Sequence, residues 1–150
     1  MWKNQETGRK FFRHAQECTF TSMKQVITSA GAPAPIGPYS HGILINNMLF
    51  LSGQVGKDPV TGEIHNSSIE AETTRVMENL KSILTDAGMD FTHVVKTTIF
   101  LTDLNNFAKV NAVYGSYFPE GAAYPARETV QVSRLPLDVN VEISMVAIKG

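Results

Sequence analysis

The spacing of apolar residues changes along this chain, and each change marks an element. Residues 24–28 form a short β-prone run, and residues 42–45 and 48–55 flank Asn46-Asn47. Asparagine tolerates the left-handed backbone of a tight turn, so these two runs predict a hairpin. Residues 30–40 hold three prolines and two glycines, which forbids helix and dictates turns and extended backbone. Residues 58–62, Asp-Pro-Val-Thr-Gly, read as a further turn. The period then lengthens. Ile69, Val76, Leu80, Ile83 and Ala87 recur at three-, four- and seven-residue spacing, one face of an amphipathic helix. Ser67 or Ser68 is placed to cap its start, Glu70 and Glu72 suit its first turn, and Gly88 falls just past its end. Residues 92–101 are rich in Val, Ile and Thr and predict a strand. Asp103 is placed to cap a second helix with Phe107, Val110, Tyr114, Tyr117 and Phe118 on one face. Residues 119–125 form a loop, and residues 126–133 and 139–148 are strands separated by Leu135-Pro136. The order β-β-β-α-β-α-β-β predicts an α+β fold, with two helices packed on one face of a mixed sheet so that both apolar stripes are buried.

Alternation within the last two strands sorts their side chains. Val139, Val141, Ile143, Met145 and Ala147 share one apolar face, which the helices are expected to cover. The other face carries Asn140, Glu142, Ser144, Val146 and Ile148. It is too apolar at its end for an ordinary wet surface, and points to packing on another subunit. In the preceding strand Arg127 shares a polar face with Thr129 and Gln131, opposite Glu128, Val130 and Val132. The planar fork of arginine reads a carboxylate through two parallel hydrogen bonds, although a strand-end arginine also serves in structural ion pairs. Glu142, inside a β-branched strand, is either structurally paired or retained for proton transfer, with a pKa raised by partial burial. Tyr39 stands in the rigid Pro-containing loop, where a phenol is either positioned for a ligand or simply packed.

Composition narrows the class. The 150 residues carry 13 Lys+Arg against 14 Asp+Glu, a formal net charge of −1, with 43% apolar and 18% charged residues. That supports one core rather than two, and excludes wholesale disorder. The near-neutral balance argues against nucleic acid or an acidic membrane as a partner, since such binding needs a basic surplus. No run approaches the ~18 apolar residues of a membrane helix, so a soluble, cytoplasmic protein is expected. Residues 1–22 differ from the rest, with Lys3, Arg9, Lys10 and Arg13 among Phe11, Phe12 and Phe20. They read as an N-terminal extension, disordered or a start-site artefact before Met23, or alternatively a mitochondrial or other organelle-targeting segment. Residues 23–150 read as one domain. The single cysteine, Cys18, excludes an intramolecular disulfide and a Cys-built zinc site, and His14, His41, His65 and His93 show no ligand spacing. Dinucleotide, P-loop, serine-hydrolase and zinc-protease signatures are missing.

Six segments in order then carry a resemblance. Ile36-Gly-Pro-Tyr-Ser40, Leu51-Ser-Gly-Gln-Val55, Val95-Lys-Thr-Thr-Ile-Phe100, Phe107-Ala-Lys-Val-Asn-Ala-Val-Tyr114, and Tyr124-Pro-Ala-Arg127 with Val141-Glu-Ile143 resemble the Rid family of reactive intermediate (imine) deaminases. The family is also described as endoribonuclease L-PSP or translation initiation inhibitor. The resemblance spans about residues 24–149. It implies a chorismate-mutase-like fold and a homotrimer with pockets at the subunit interfaces. It also implies hydrolysis of 2-imino acids (2-iminobutanoate, 2-iminopropanoate) to 2-keto acids and ammonia, with no cofactor and no metal. Position by position, Arg127 matches the arginine that grips the substrate carboxylate. Tyr39 and Ser52 match pocket residues, with Tyr39 supplied by the neighbouring subunit. Glu142 matches the acid that positions or activates water, the Thr129 backbone matches the segment that hydrogen-bonds substrate, and Asn111 matches a position near the pocket. Two positions depart from the family. Glu128 replaces a small or apolar residue directly after the arginine, but alternation points it away from Arg127. Thr129 stands where the close deaminases often have cysteine. The competing readings are an endoribonuclease or translation inhibitor, and a non-catalytic carboxylate-binding or chaperone-like protein.

Overall fold

The computed structural model describes residues 23–150; the expectations for residues 1–22 lie outside the described residues. Asn46, at φ 54°, forms the tip of the predicted hairpin. Its strands are β2 (Gly42–Ile45) and β3 (Met48–Val55), paired antiparallel with Gly42 opposite Leu51 and Ile45 opposite Met48. β1 (Gln25–Ile27) lies along β2. The other strands are β4 (Val94–Leu101), β5 (Ala126–Gln131) and β6 (Val141–Ile148). Together they make one six-stranded sheet in the order β1-β2-β3-β6-β4-β5. All neighbours are antiparallel except β4 and β5, which run parallel. The sheet is therefore mixed, as the element order predicts.

The helix α1 (Ile69–Asp86) starts at Ser68, whose hydroxyl accepts a hydrogen bond from the Ala71 N–H at 3.1 Å. It ends at Gly88, whose φ of +69° lets the Met89 N–H turn back to the Leu84 carbonyl at 2.9 Å. Its buried face, with Val76, Leu80, Ile83 and Leu84, packs in one core with Leu49 and Leu51 of β3, Ile99 and Leu101 of β4, and Val141, Ile143, Met145 and Ala147 of β6. The opposite side of β6 is half-buried. No helix among the described residues is long and apolar enough to cross a membrane.

The second helix departs from its predicted form. Asp103 caps a short 3-10 turn, Leu104–Asn106, by accepting from the Asn105 N–H at 2.9 Å; only then does α2 (Phe107–Gly115) begin. Tyr117 and Phe118 lie past its end, because Pro119 disfavours helical backbone at the residue before it. Phe118 is buried there, whereas Phe107 stays 40% exposed. Several strands are also shorter than expected. Thr92 belongs to a 3-10 turn capped by Asp90, so β4 starts at Val94. A 3-10 turn at Pro136–Asp138 delays β6 to Val141.

Two buried polar groups fix the ends of β3 and β6. The fully buried Glu72 carboxylate accepts from the Asn140 N–H at 2.7 Å, the Asn140 Nδ2 at 2.9 Å and the Val141 N–H at 3.2 Å. Asn79 donates to the Val55 and Lys57 carbonyls at 3.1 and 2.9 Å. Between these anchors the β3–β6 register slips. Leu51 faces Met145 and Gln54 faces Ile143, so β3 spends one extra residue at Ser52-Gly53. This β-bulge re-aims the strand beside Glu142.

Candidate active site

The register divides the predicted site residues into two groups on opposite faces of the sheet. Arg127 pairs laterally with Thr97 and Thr129 with Ile99, both residues of the helix-covered face. Glu142 pairs with Phe100, which alternation puts on the other face.

On the helix side, α2 supports Arg127. Its Nη1 donates to Asn111 Oδ1 at 2.5 Å, and its guanidinium carbon lies 5.1 Å from the Tyr114 ring centroid and 5.6 Å from that of Phe107. Cation–π contacts of this kind hold a guanidinium without using its donors. Tyr114 is itself anchored by donating to Thr97 Oγ1 at 3.2 Å, and burial raises its phenol pKa. The cleft here is about 420 Å³, lined by Asn111, Tyr114, Gly115, Tyr124, Pro125 and Arg127. Among the described residues no carboxylate lies within ion-pair distance of Arg127, so its expected structural partner is missing. β5 is the sheet edge. The Val132 N–H turns inward to the Leu101 carbonyl at 2.8 Å, so by alternation the Thr129 backbone faces the free side of the edge. The buried Thr129 Oγ1 has no hydrogen-bond partner.

On the other face, Tyr39, Ser52 and Glu142 share a cleft of about 310 Å³ with Ile36, Gly53, Val55, Pro136 and Leu137. Glu142 has no cation beside it among the described residues, and burial pushes its carboxyl pKa up. Its Oε1 lies over Gly53, where a Cβ would collide with it. Ser52 donates to the Ser40 carbonyl at 2.6 Å and so ties down the loop that carries Tyr39. The Tyr39 oxygen accepts from the Ile36 N–H at 3.3 Å, which leaves its own proton free to donate. Glu128, the departure from the family pattern, is held by Lys96 and by Thr98 Oγ1, and Lys96 lowers its pKa. It stands on the opposite side of β5 from Arg127, as alternation predicts.

Three of the four histidines lie in the described region, and each is accounted for. His41 accepts from the Ser29 N–H at Nδ1 and bonds the Pro33 carbonyl through Nε2. His93 completes the Asp90 capping box, and His65 lies 3.5 Å from Asp58.

Residues 13–149 match the family model described as Endoribonuclease L-PSP. The chain belongs to the Rid, or endoribonuclease L-PSP, family. A RutC family protein of Pyrococcus abyssi is 51% identical over 126 residues, 84% of this chain and 98% of that one. The 2-iminobutanoate/2-iminopropanoate deaminase of Homo sapiens is 42% identical over 128 residues, covering 85% and 92% of the two chains. Among solved structures, E. coli TdcF with bound serine superposes with a TM-score of 0.80 at 42% identity, covering 84% of this chain and 99% of that one. For this Rid family member, sequence reasoning names two residues of the first cleft, Asn111 and Arg127, and three of the second, Tyr39, Ser52 and Glu142. It missed Gly53 and Tyr114, both inside quoted motifs. It also missed Leu137, which no periodicity marks.

Proposed function

We propose that this protein hydrolyses 2-imino acids, and their enamine tautomers, to 2-keto acids and ammonia, in pockets formed between copies of a homotrimer. The observation that carries the reading is the pair of clefts. One holds an arginine with no carboxylate partner among the described residues, and the other a carboxyl of raised pKa with no cation beside it among them. Arg127 and Glu142 sit on opposite faces of one sheet, so a pocket containing both draws them from two chains. The similarity to a named imine deaminase supports the substrate class.

The chemistry needs only these groups. Arg127 takes the substrate carboxylate and fixes its orientation, with Asn111 and the aromatic rings holding the guanidinium in place. Ionised Glu142 accepts a proton from water as the water oxygen bonds to the carbon of the protonated imine and the C=N π pair moves to nitrogen, giving a carbinolamine. The proton passes to the amino nitrogen. The C–N bond then breaks, ammonia leaves, the C=O forms, and the released hydroxyl proton returns to solvent.

The test is a threonine dehydratase reaction with added protein, following 2-ketobutanoate release. Wild type is expected to accelerate it. Arg127→Ala should lower kcat/KM by roughly 10- to 150-fold, as expected for about 1.5–3 kcal/mol of charge-assisted hydrogen bonding. Undiminished acceleration by Arg127→Ala would refute the assigned mechanism. The endoribonuclease description is tested in parallel with the same variant on RNA. The near-neutral chain and the committed His41 and His93 weigh against that activity.

A further inference from the structure

Leu137 has a backbone that leucine avoids, at φ 59° and ψ 18°, and Asp138 follows at φ 54°. Left-handed backbone suits glycine and asparagine, not a branched side chain carrying a Cβ. Burial does not compensate, because Leu137 is 48% exposed. The strained turn is nonetheless fixed. Arg134 grips Asp138 through both carboxylate oxygens, Nε to Oδ1 at 2.5 Å and Nη2 to Oδ2 at 3.0 Å. A costly conformation held in this way, beside a cleft, points to a role for the side chain it presents.

That side chain forms part of the wall of the Glu142 cleft, beside Ile36, Val55 and Pro136. Leu137 also lines a smaller adjoining cleft that contains Lys57. The polar groups of the Glu142 cleft are already assigned. Glu142 is assigned to the reacting water, Ser52 is spent on the Ser40 carbonyl, and Tyr39 accepts from the Ile36 N–H and keeps one proton to donate. The remaining wall, Ile36, Val55, Pro136 and Leu137, is apolar and brings no cation to an acidic side chain.

We propose that Leu137 is a specificity-determining residue: it forms the apolar wall against which the side chain of the 2-imino acid lies, so that the site favours unbranched apolar side chains and rejects acidic ones. This assignment rests on the deaminase reading above and extends it to the part of the substrate that does not react.

The test compares imines generated in situ by an amino-acid oxidase from alanine, 2-aminobutyrate and norvaline, a series growing by one methylene per step, with the glutamate-derived imine as the acidic member. Wild-type kcat/KM should rise along the apolar series by roughly tenfold overall, the scale of burying two methylenes against an apolar wall, and should be lowest for the acidic imine. Leu137→Asn and Leu137→Gly both suit the left-handed backbone, so their thermal midpoints should equal or exceed that of wild type. They should flatten the apolar series toward a ratio of one and narrow the discrimination against the acidic imine. If the variants keep the wild-type slope, Leu137 does not set specificity, while the deaminase reading survives. A variant equally impaired on every substrate likewise overturns the assignment. If wild type accelerates no imine hydrolysis at all, both readings fall together.

Discussion

Glu142 is half-buried with no cation beside it among the described residues, and this makes its behaviour with pH predictable. Burial raises the Glu142 pKa above its unfolded value. The folded protein therefore holds that proton more tightly. This contribution favours the fold fully below the unfolded pKa and is lost as pH rises through the folded pKa. Glu142→Gln never ionises, so its thermal midpoint should exceed that of wild type at neutral pH. The advantage should vanish below the ordinary carboxylate range, near pH ~4. Catalysis needs the ionised form. Wild-type kcat/KM should thus fall with decreasing pH at a point above that range, and Glu142→Gln should be inactive throughout. A pH–rate profile and paired melts at two pH values check both signs. Gly53→Ala makes a sharper steric test, because the new methyl collides with the Glu142 carboxyl. It should cut kcat far more than it lowers the melting temperature. Strand alternation placed Arg127 and Glu142 on their faces but left each open to a structural ion pair, and only the family resemblance implied their roles. Gly53 and Leu137 were not legible, since the bulge at Ser52-Gly53 and the left-handed turn at Leu137 arise from how β3, β6 and the turn before β6 meet in space.

At the scale of elements, legibility followed locality. The Ser68 cap, the left-handed Gly88 and the apolar stripe of α1 are encoded within a few residues of one another, and each forms as expected. Ser68→Ala should therefore cost about 1 kcal/mol, read as a drop of a few degrees in melting temperature with kcat unchanged. The start of α2 was misplaced because Asp103 serves equally well as the cap of a 3-10 turn, and nothing local decides between the two. The start of β6 depends on a distant residue. Glu72 on α1 reaches Asn140 and Val141, 68 and 69 positions away. Replacing Glu72 by leucine would leave the buried Val141 N–H without an acceptor, at a cost of about 1–3 kcal/mol, and would release the part-buried Asn140 N–H as well. That variant should lose stability more severely than Ser68→Ala. Because Glu142 follows Val141 directly, it should also lose activity at temperatures where it remains folded.

For the whole molecule, the question is what covers the outer face of the sheet. Phe50 is 43% exposed and Val130 is 41% exposed. Phe50 pairs with Val146, and Val130 with Phe100, so these side chains form part of one apolar surface across β3, β6, β4 and β5. A surface of this kind marks an interaction site, and the Glu142 cleft opens on the same side of the sheet. Burying it against neighbouring copies would bring the Glu142 cleft of one chain to the Arg127 cleft of the next. In such a ring each pocket takes its arginine from one chain and its carboxyl from another. Arg127→Ala and Glu142→Gln proteins, the first strongly impaired alone and the second inactive, should then complement one another when dissociated, mixed and reassembled. In a random equimolar mixture, a pocket with both native groups arises when a Glu142→Gln chain supplies the arginine and an Arg127→Ala chain supplies the carboxyl. Independent choice at two positions gives roughly a quarter of wild-type activity. The double variant mixed with itself should recover none. A charged substitution at Phe50 should abolish both the assembly, read by light scattering, and the complementation. Activity that persisted in a monomeric Phe50→Asp protein would mean that one chain holds a complete site, which the placement of Arg127 and Glu142 on opposite faces argues against.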